Sequence, residues 1–146
     1  MKTVAEVIRS KAHAYVYSVD SEDSLLDGLR ILAEKGIGAL VVLSGGRLVG
    51  IVSERDYVRK VALAERSLLN TKISEIMTRE VISVGPRDSV QHCMELMTER
   101  RLRHLPVLAE GELIGLLSIG DLVKETIAEQ ADLIRQLEQY IRGEIP

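Results

Sequence analysis

Two stretches carry the residue types best suited to chemistry, Ser53-Glu54-Arg55-Asp56 and Ser118-Ile119-Gly120-Asp121. Each follows an apolar run holding one glycine, Leu48-Val49-Gly50-Ile51-Val52 and Leu113-Ile114-Gly115-Leu116-Leu117, and each opens onto a helical pattern. A strand that delivers a hydroxyl and a carboxylate to the start of a helix makes a polar rim beside free backbone N–H groups. The carboxylate can accept two hydrogen bonds from a vicinal diol, whereas it would repel a phosphate laid against it. Such a rim suits the sugar of a nucleotide at the Asp, with the phosphate elsewhere. The same residues fit a second role. Ser at an N-cap with an acid three residues on is close to a capping box, worth about 1 kcal/mol of helix stability. The two roles are compatible, and the repetition of the pair in one strand–helix context favours the first.

The elements that must position these residues follow from periodicity. Thr3 to Ser10 predicts a short helix, Tyr15 to Val19 a strand, and Asp23-Ser24 the cap of a helix running through Lys35. Ala39 to Leu43 and Leu48 to Val52 form a hairpin about Ser44-Gly45-Gly46-Arg47. A helix follows from Glu54 to Glu65, then a polar linker from Arg66 to Lys72. The second half repeats the order: an opening segment Ile73 to Thr78, a strand Val81 to Val84, a helix Asp88 to Arg101, and a hairpin of Leu105 to Leu108 with Leu113 to Leu117 about Glu110-Gly111. A last helix starts near Ile119.

The two halves align without a gap at an offset of 65 residues, with Val16 on Val81, Ser18 on Ser83, Asp23-Ser24 on Asp88-Ser89, Leu40 on Leu105, Gly50 on Gly115 and Asp56 on Asp121. Polar cap positions match as well as apolar ones, which periodicity alone does not produce. The expected fold is α/β: two β-α-β-β-α units packed face to face about a pseudo-twofold axis, with two related clefts between them. The organisation expected is a first repeat over 1–72, with its N-terminal helix and linker, a second over 73–125, and a helical extension over 126–146.

The chain of 146 residues, with 19 basic and 22 acidic side chains, has a net charge of −3, which argues against general nucleic-acid binding. Trp and Phe are absent, so there is no base-stacking platform of the single-strand-binding kind. The single cysteine, Cys93, allows no internal disulfide and fits a reducing compartment. Neither a signal peptide nor an apolar run of membrane-spanning length is seen, so the expectation is a soluble, cytoplasmic protein without membrane contact. No nucleophile–base arrangement or metal-ligand spacing stands out, and His13 and His92 lack partners.

The two copies of strand, helix, hairpin and Gly-x-x-Ser-x-x-Asp, with His104-Leu105-Pro106-Val107 in the second and Ile76-Met77-Thr78 before it, resemble a tandem pair of CBS domains, often called a Bateman module. Val52-Ser53-Glu54-Arg55-Asp56-Tyr57 and Arg101-Leu102-Arg103-His104-Leu105-Pro106 are similar to the small stand-alone bacterial proteins of that kind. The resemblance implies a regulatory ligand-binding module and not an enzyme, with no required cofactor. The implied ligand is AMP or another adenine nucleotide, with NAD(H) and S-adenosylmethionine as further candidates. It assigns the ribose hydroxyls to Asp56 and Asp121 and the phosphate approach to Ser53 and Ser118. It gives the base to backbone groups of the first strand and the residue before it, Tyr15 to Ser18, including Tyr17 and Ser18, and Glu80 to Ser83, including Val81, Ile82 and Ser83.

The basic cluster Arg100, Arg101, Arg103 and His104 has two readings: favourable charge at a helix C-terminus, or, for Arg103 and His104, a reach across the cleft to phosphate. The first repeat has Gly38-Ala39 where the second has Arg103-His104, so the two clefts are not equivalent, and Arg55, opposite Gly120, either meets phosphate from a different side or is an ordinary solvated residue. Pro106 either lines an adenine pocket or only opens a strand. Along the last helix Val123, Ile127, Gln130, Ile134, Leu137 and Ile141 follow the 4-3 spacing of a coiled-coil seam, which points to a homodimer contact. The leading function is a nucleotide sensor that signals to a separate protein. The alternative is a dimeric interaction or scaffold protein with vestigial clefts.

Overall fold

A computed structural model describes residues 2–11 and 16–143. Helix α1 (Val4–Ser10) is capped by Thr3, and α2 (Leu25–Lys35) starts on Ser24, whose side chain accepts the Asp27 N–H, and ends at Gly36 with φ of 62°. Strand β1 (Ser18–Asp20) pairs parallel with β2 (Ala39–Ser44), which pairs antiparallel with β3 (Arg47–Ser53). Gly45 and Gly46, at φ of 58° and 79°, close that hairpin in the left-handed conformation a two-residue turn requires. The second half has α4 (Val90–Arg100), capped by Ser89, the hairpin β4 (His104–Ala109) with β5 (Glu112–Ser118), and α5 (Ile119–Ile141). Both hairpins carry a register shift at the same place, between Val42 and Leu43 and between Val107 and Leu108. Tyr15 and His13 lie outside the described residues.

Four expectations are corrected. Val81 to Val84 is not a strand: Val84 alone bridges Val107, giving its N–H to the Pro106 carbonyl (3.0 Å) and taking that of Leu108 (2.9 Å). Two prolines explain the loss. Where Ser21 donates to the Leu43 carbonyl at 2.9 Å, the second repeat has Pro86, and where β2 has Val41, β4 has Pro106; neither proline has an N–H to extend the ladder. The helix expected from Glu54 to Glu65 is one α-turn, α3 (Glu54–Asp56), followed by a π-helical stretch, Tyr57–Ala62, which buries both Tyr57 and Val61. The polar linker is structural, since the carbonyls of Leu68 and Thr71 accept the N–H groups of Leu26 and Leu25 (both 3.0 Å), orphan donors at the start of α2. The opening segment of the second half is a single 3₁₀ turn, Ile73–Glu75.

There are two cores, and each is completed by chain that leads into the other repeat. Val4 and Val7 of α1 are buried with Val84, Val90, Cys93, Met97, Leu105, Val107, Leu117 and Leu122. Ile73, Ile76 and Met77 are buried with Val19, Leu25, Leu32, Leu40, Val42, Val52, Tyr57 and Val61. The exchange is fixed by matching backbone bonds: Val4 N–H to Asp88 O (2.8 Å) and Ile73 N–H to Asp23 O (2.9 Å). The acceptors stand 65 residues apart but the donors 69. The repeat is therefore ungapped from Val16 onward, while the first copy has four more residues between its opening segment and its first strand.

Gly28 in the middle of α2 faces Tyr57, and a Cβ there would lie 2.5 Å from the phenol oxygen and 2.8 Å from Ile73 Cδ1. That phenol is buried and donates to the Leu25 carbonyl at 2.6 Å, with burial pushing its pKa up to about 12. Helix propensity favours alanine over glycine by about 1 kcal/mol. Here overpacking wins, and Gly28→Ala should destabilise by about 1–3 kcal/mol in urea denaturation. A stabilised variant would mean the Tyr57–Ile73 contact gives way freely.

Candidate functional site

Both Ser-x-x-Asp motifs form true capping boxes. Asp121 Oδ2 accepts the Ser118 N–H (2.8 Å) while Ser118 Oγ accepts the Asp121 N–H (3.1 Å). Asp56 Oδ2 likewise accepts the Ser53 N–H (2.8 Å), and Ser53 Oγ the Asp56 N–H (3.4 Å). The capping role uses one carboxylate oxygen in each box and holds the side chain still.

Around Asp121 the two repeats enclose a cavity of about 410 Å³, within the range typical of small-molecule sites. One wall is first-repeat chain: Val16, Tyr17 and the loop Gly36-Ile37-Gly38-Ala39 after α2. The other is second-repeat chain: His104, Gly115, Leu116, Ser118 and Asp121. Gly38 lets the loop approach His104, since a Cβ there would stand 3.3 Å from Glu54 Oε1 and 3.4 Å from His104 Cε1. Ile8 and Lys11, from the end of α1, close the third side. Lys11 Nζ donates both to Asp121 Oδ2 and to the Leu116 carbonyl, each at 2.8 Å. Lys35 stands with its ammonium 5.4 Å from the centroid of the Tyr17 ring.

The electrostatics follow from burial and from Lys11. Burial pushes the Asp121 carboxyl up, but the Lys11 hydrogen bond, the Ser118 N–H and the ammonium charge outweigh it and hold the pKa below its ordinary value. His104 is moved the other way. Burial lowers its pKa, Lys11 and Arg103 add to that, and Asp121 only partly opposes them, so the imidazole is neutral at pH 7. Among the described residues, the cavity thus pairs one carboxylate with two ammonium groups.

The first repeat's motif is enclosed differently. Asp56 Oδ1 pairs with Lys60 on its own helix (3.0 Å), and Lys60 also donates to the Ile76 carbonyl (2.9 Å). Ile51 exchanges two backbone bonds with Thr78, at 3.1 and 2.9 Å, so the edge of β3 is covered. Met77 packs on Gly50, where a Cβ would lie 2.5 Å from its sulfur. On the second repeat the matching edge, at Leu116, takes the Lys11 side chain instead.

The structure brings Tyr17, His104, Ser118 and Asp121 to one cavity. Ser18, Val81 and Ser83 sit instead around a second depression of about 750 Å³ between the two hairpin turns. Apart from Arg79 its lining consists of residues paired at the 65-residue offset, such as Leu48 with Leu113, so it lies on the pseudo-twofold axis. Ile82 packs against the second core and Pro106 is buried in β4. Arg55 and Arg103 are exposed, and the part of Arg103 that is engaged is its carbonyl, which accepts the Ile119 N–H at 2.8 Å. Lys11 and Lys35 were missed by sequence reasoning; Lys11 stands 110 residues from Asp121, and no local spacing links them. Among the described residues no three His, Cys, Asp or Glu side chains cluster as metal ligands would. Likewise, no described helix is long and apolar enough to cross a membrane.

The buried neutral imidazole has a pH consequence. The unfolded chain protonates His104 at about its ordinary 6.5 and the folded chain only at lower pH, so its contribution to stability is complete above 6.5 and is lost as pH falls below it. The stability difference between the parent protein and His104→Asn should shrink between about pH 7.5 and 5.5 in urea melts. A difference that stays constant would mean that His104 protonates as freely folded as unfolded.

Comparison with known proteins bears on the same elements. The family model of the CBS domain matches residues 4–63 and 73–128. A solved structure of a protein with CBS domains from Burkholderia ambifaria superposes with a TM-score of 0.85 at 53% identity, over 88% of this chain and 96% of that one. CBSX3, a mitochondrial CBS-domain-containing protein of Arabidopsis thaliana, is 37% identical over 97% of this chain and 72% of its own length. An inosine-5′-monophosphate dehydrogenase of Korarchaeum cryptofilum is 41% identical over 73% of this chain, which spans only 21% of that enzyme. With two matched copies and a near-complete superposition, the chain belongs to the CBS-domain family and carries the domain as a tandem pair.

Proposed function

We propose that this CBS pair is a regulatory, non-catalytic sensor of an adenine nucleotide, bound in the Asp121 cavity and read out by a separate protein. The observation that carries the reading is the cavity itself: a carboxylate fixed by its capping box shares one cavity with Val16, Tyr17, Ile37 and Gly38 of the other repeat, a lining that suits a base. Structural neighbours support the class of ligand. CBSX2 was solved in complex with AMP, and the CBS pair of MJ0100 with 5′-methylthioadenosine and S-adenosyl-L-methionine, at 23% and 24% identity to this chain. Those three molecules share an adenine carried on a ribose, and so a 2′,3′-diol for a carboxylate to hold. NAD(H) offers the same group. The Asp56 side, with β3 covered and Lys60 in place, is the weaker site.

A thermal-shift panel of AMP, ADP, ATP, NAD, NADH and S-adenosylmethionine tests the reading. Ligand at a hundred times its Kd adds about 2.7 kcal/mol, a rise on the order of 5–10 °C for a chain of this size. Asp121→Ala should abolish the response and Asp56→Ala should leave most of it. No response to any of the six at millimolar concentration would move the function to the interaction protein described next.

The second reading rests on α5. Every residue from 127 to 143 is exposed, including Ile127 at 62%, Leu137 at 54% and Tyr140 at 74%. A helix without tertiary support is marginal in water, and the 4-3 seam is of the kind that pairs with its own copy. We read α5 as the contact of a homodimer, which fits a sensor and a scaffold alike. Ile134→Asp should convert a dimer to a monomer in size-exclusion chromatography with light scattering. A parent chain that already runs as a monomer would refute the contact.

A further inference from the structure

We infer that Lys11 makes the Asp121 cavity selective for adenosyl ligands that carry a phosphate, against neutral adenosine and against the cationic S-adenosylmethionine. The inference rests on the nucleotide reading above and names the ligand class within it. Lys11 Nζ donates to Asp121 Oδ2 and to the Leu116 carbonyl, which leaves Asp121 Oδ1 for a ribose diol and one of the three ammonium N–H donors for another group of the same ligand. Lys35 lines the same cavity from an exposed position, His104 is neutral, and Asp121 is the sole acid among the described residues lining it. A diol on Asp121 is uncharged and offers the remaining Lys11 donor nothing, whereas a phosphate on the ribose supplies an anion for it and a sulfonium adds a like charge.

The selectivity belongs to this position and not to the repeat. At the 69-residue offset of the opening segments, the counterpart of Lys11 is Glu80, of opposite charge. The cation on Asp56 is instead Lys60, held one helical turn away and tied to the Ile76 carbonyl. Only the Asp121 side therefore joins its carboxylate to a cation supplied by a different element.

Isothermal titration of adenosine, AMP and S-adenosylmethionine into the parent protein, Lys11→Met, Lys11→Arg and Asp121→Ala decides the matter. A charge-assisted contact predicts that the parent binds AMP about 10–100-fold tighter than adenosine. Lys11→Met should collapse that ratio to near one, with adenosine held about as well as before because Asp121 Oδ1 serves the diol in either protein. Lys11→Arg should restore the preference. Raising the salt concentration on the parent protein gives a second reading, independent of any variant: AMP affinity should fall while adenosine affinity holds. If AMP and adenosine bind the parent equally, or if Lys11→Met weakens both by the same factor, the role of Lys11 is overturned while the nucleotide reading stands. If neither binds the parent, the nucleotide reading itself fails, and this inference with it.

Discussion

The exchange of opening segments between the repeats is the constraint on which the rest of the structure depends. Neither core closes on its own: α1 supplies Val4 and Val7 to the second, and Ile73, Ile76 and Met77 complete the first. Pulling the repeats apart would uncover these side chains and break the backbone bonds from Val4 to Asp88 and from Ile73 to Asp23. Burial of apolar area at roughly 25 cal/mol per Å² makes that separation expensive. The two repeats are therefore held in one relative position without any disulfide, and a cleft between them has a fixed shape before anything enters it.

The inequivalence of the two clefts follows from how each opening segment ends. The second segment is a single 3₁₀ turn, after which the chain runs extended and Thr78 pairs with Ile51 on the edge of β3. The first is a seven-residue α-helix, and its end presents a side chain to the matching edge: Lys11 bonds to the Leu116 carbonyl. A backbone strand covers an edge continuously, whereas one lysine covers a single carbonyl and leaves room beside it. Pro86 and Pro106 deepen the difference by cutting the second sheet to two strands. Two copies of one pattern thus yield one open cavity beside Asp121 and one crowded carboxylate at Asp56.

What could be read in advance was what local chemistry specifies. Ser24, Ser89, Ser53 and Ser118 cap the helices they precede, and Gly45-Gly46 turns the first hairpin, because caps and turns are settled within a few residues. Asp121 was visible for the same reason. Lys11 was not, since its partner stands 110 residues away and its counterpart in the repeat is an acid. The four-residue slip between opening segments and strands was hidden because the segments share little beyond spaced apolar residues, which match at several offsets. Arg103 and His104 looked alike as basic neighbours, yet β4 begins at His104, whose imidazole lines the cavity, while Arg103 stands just before the strand and is exposed.

The position of Asp121 has a mechanical meaning beyond its carboxylate. It is the third residue of α5, and the clasp that holds it comes from α1 and the residues flanking it: Lys11 on Asp121, with Ser10 (3.1 Å) and Lys2 (2.7 Å) on Glu125 one turn later. Beyond Thr126, whose hydroxyl still touches Met94, the helix leaves the body of the protein and carries its apolar seam into solvent. A ligand held on Asp121 would therefore bear directly on the polar ties that set the direction of a helix about 35 Å long. A small rotation at the capped end becomes a displacement of several ångströms at Tyr140. Such a lever responds to ligand only if two helix directions differ in ligand affinity.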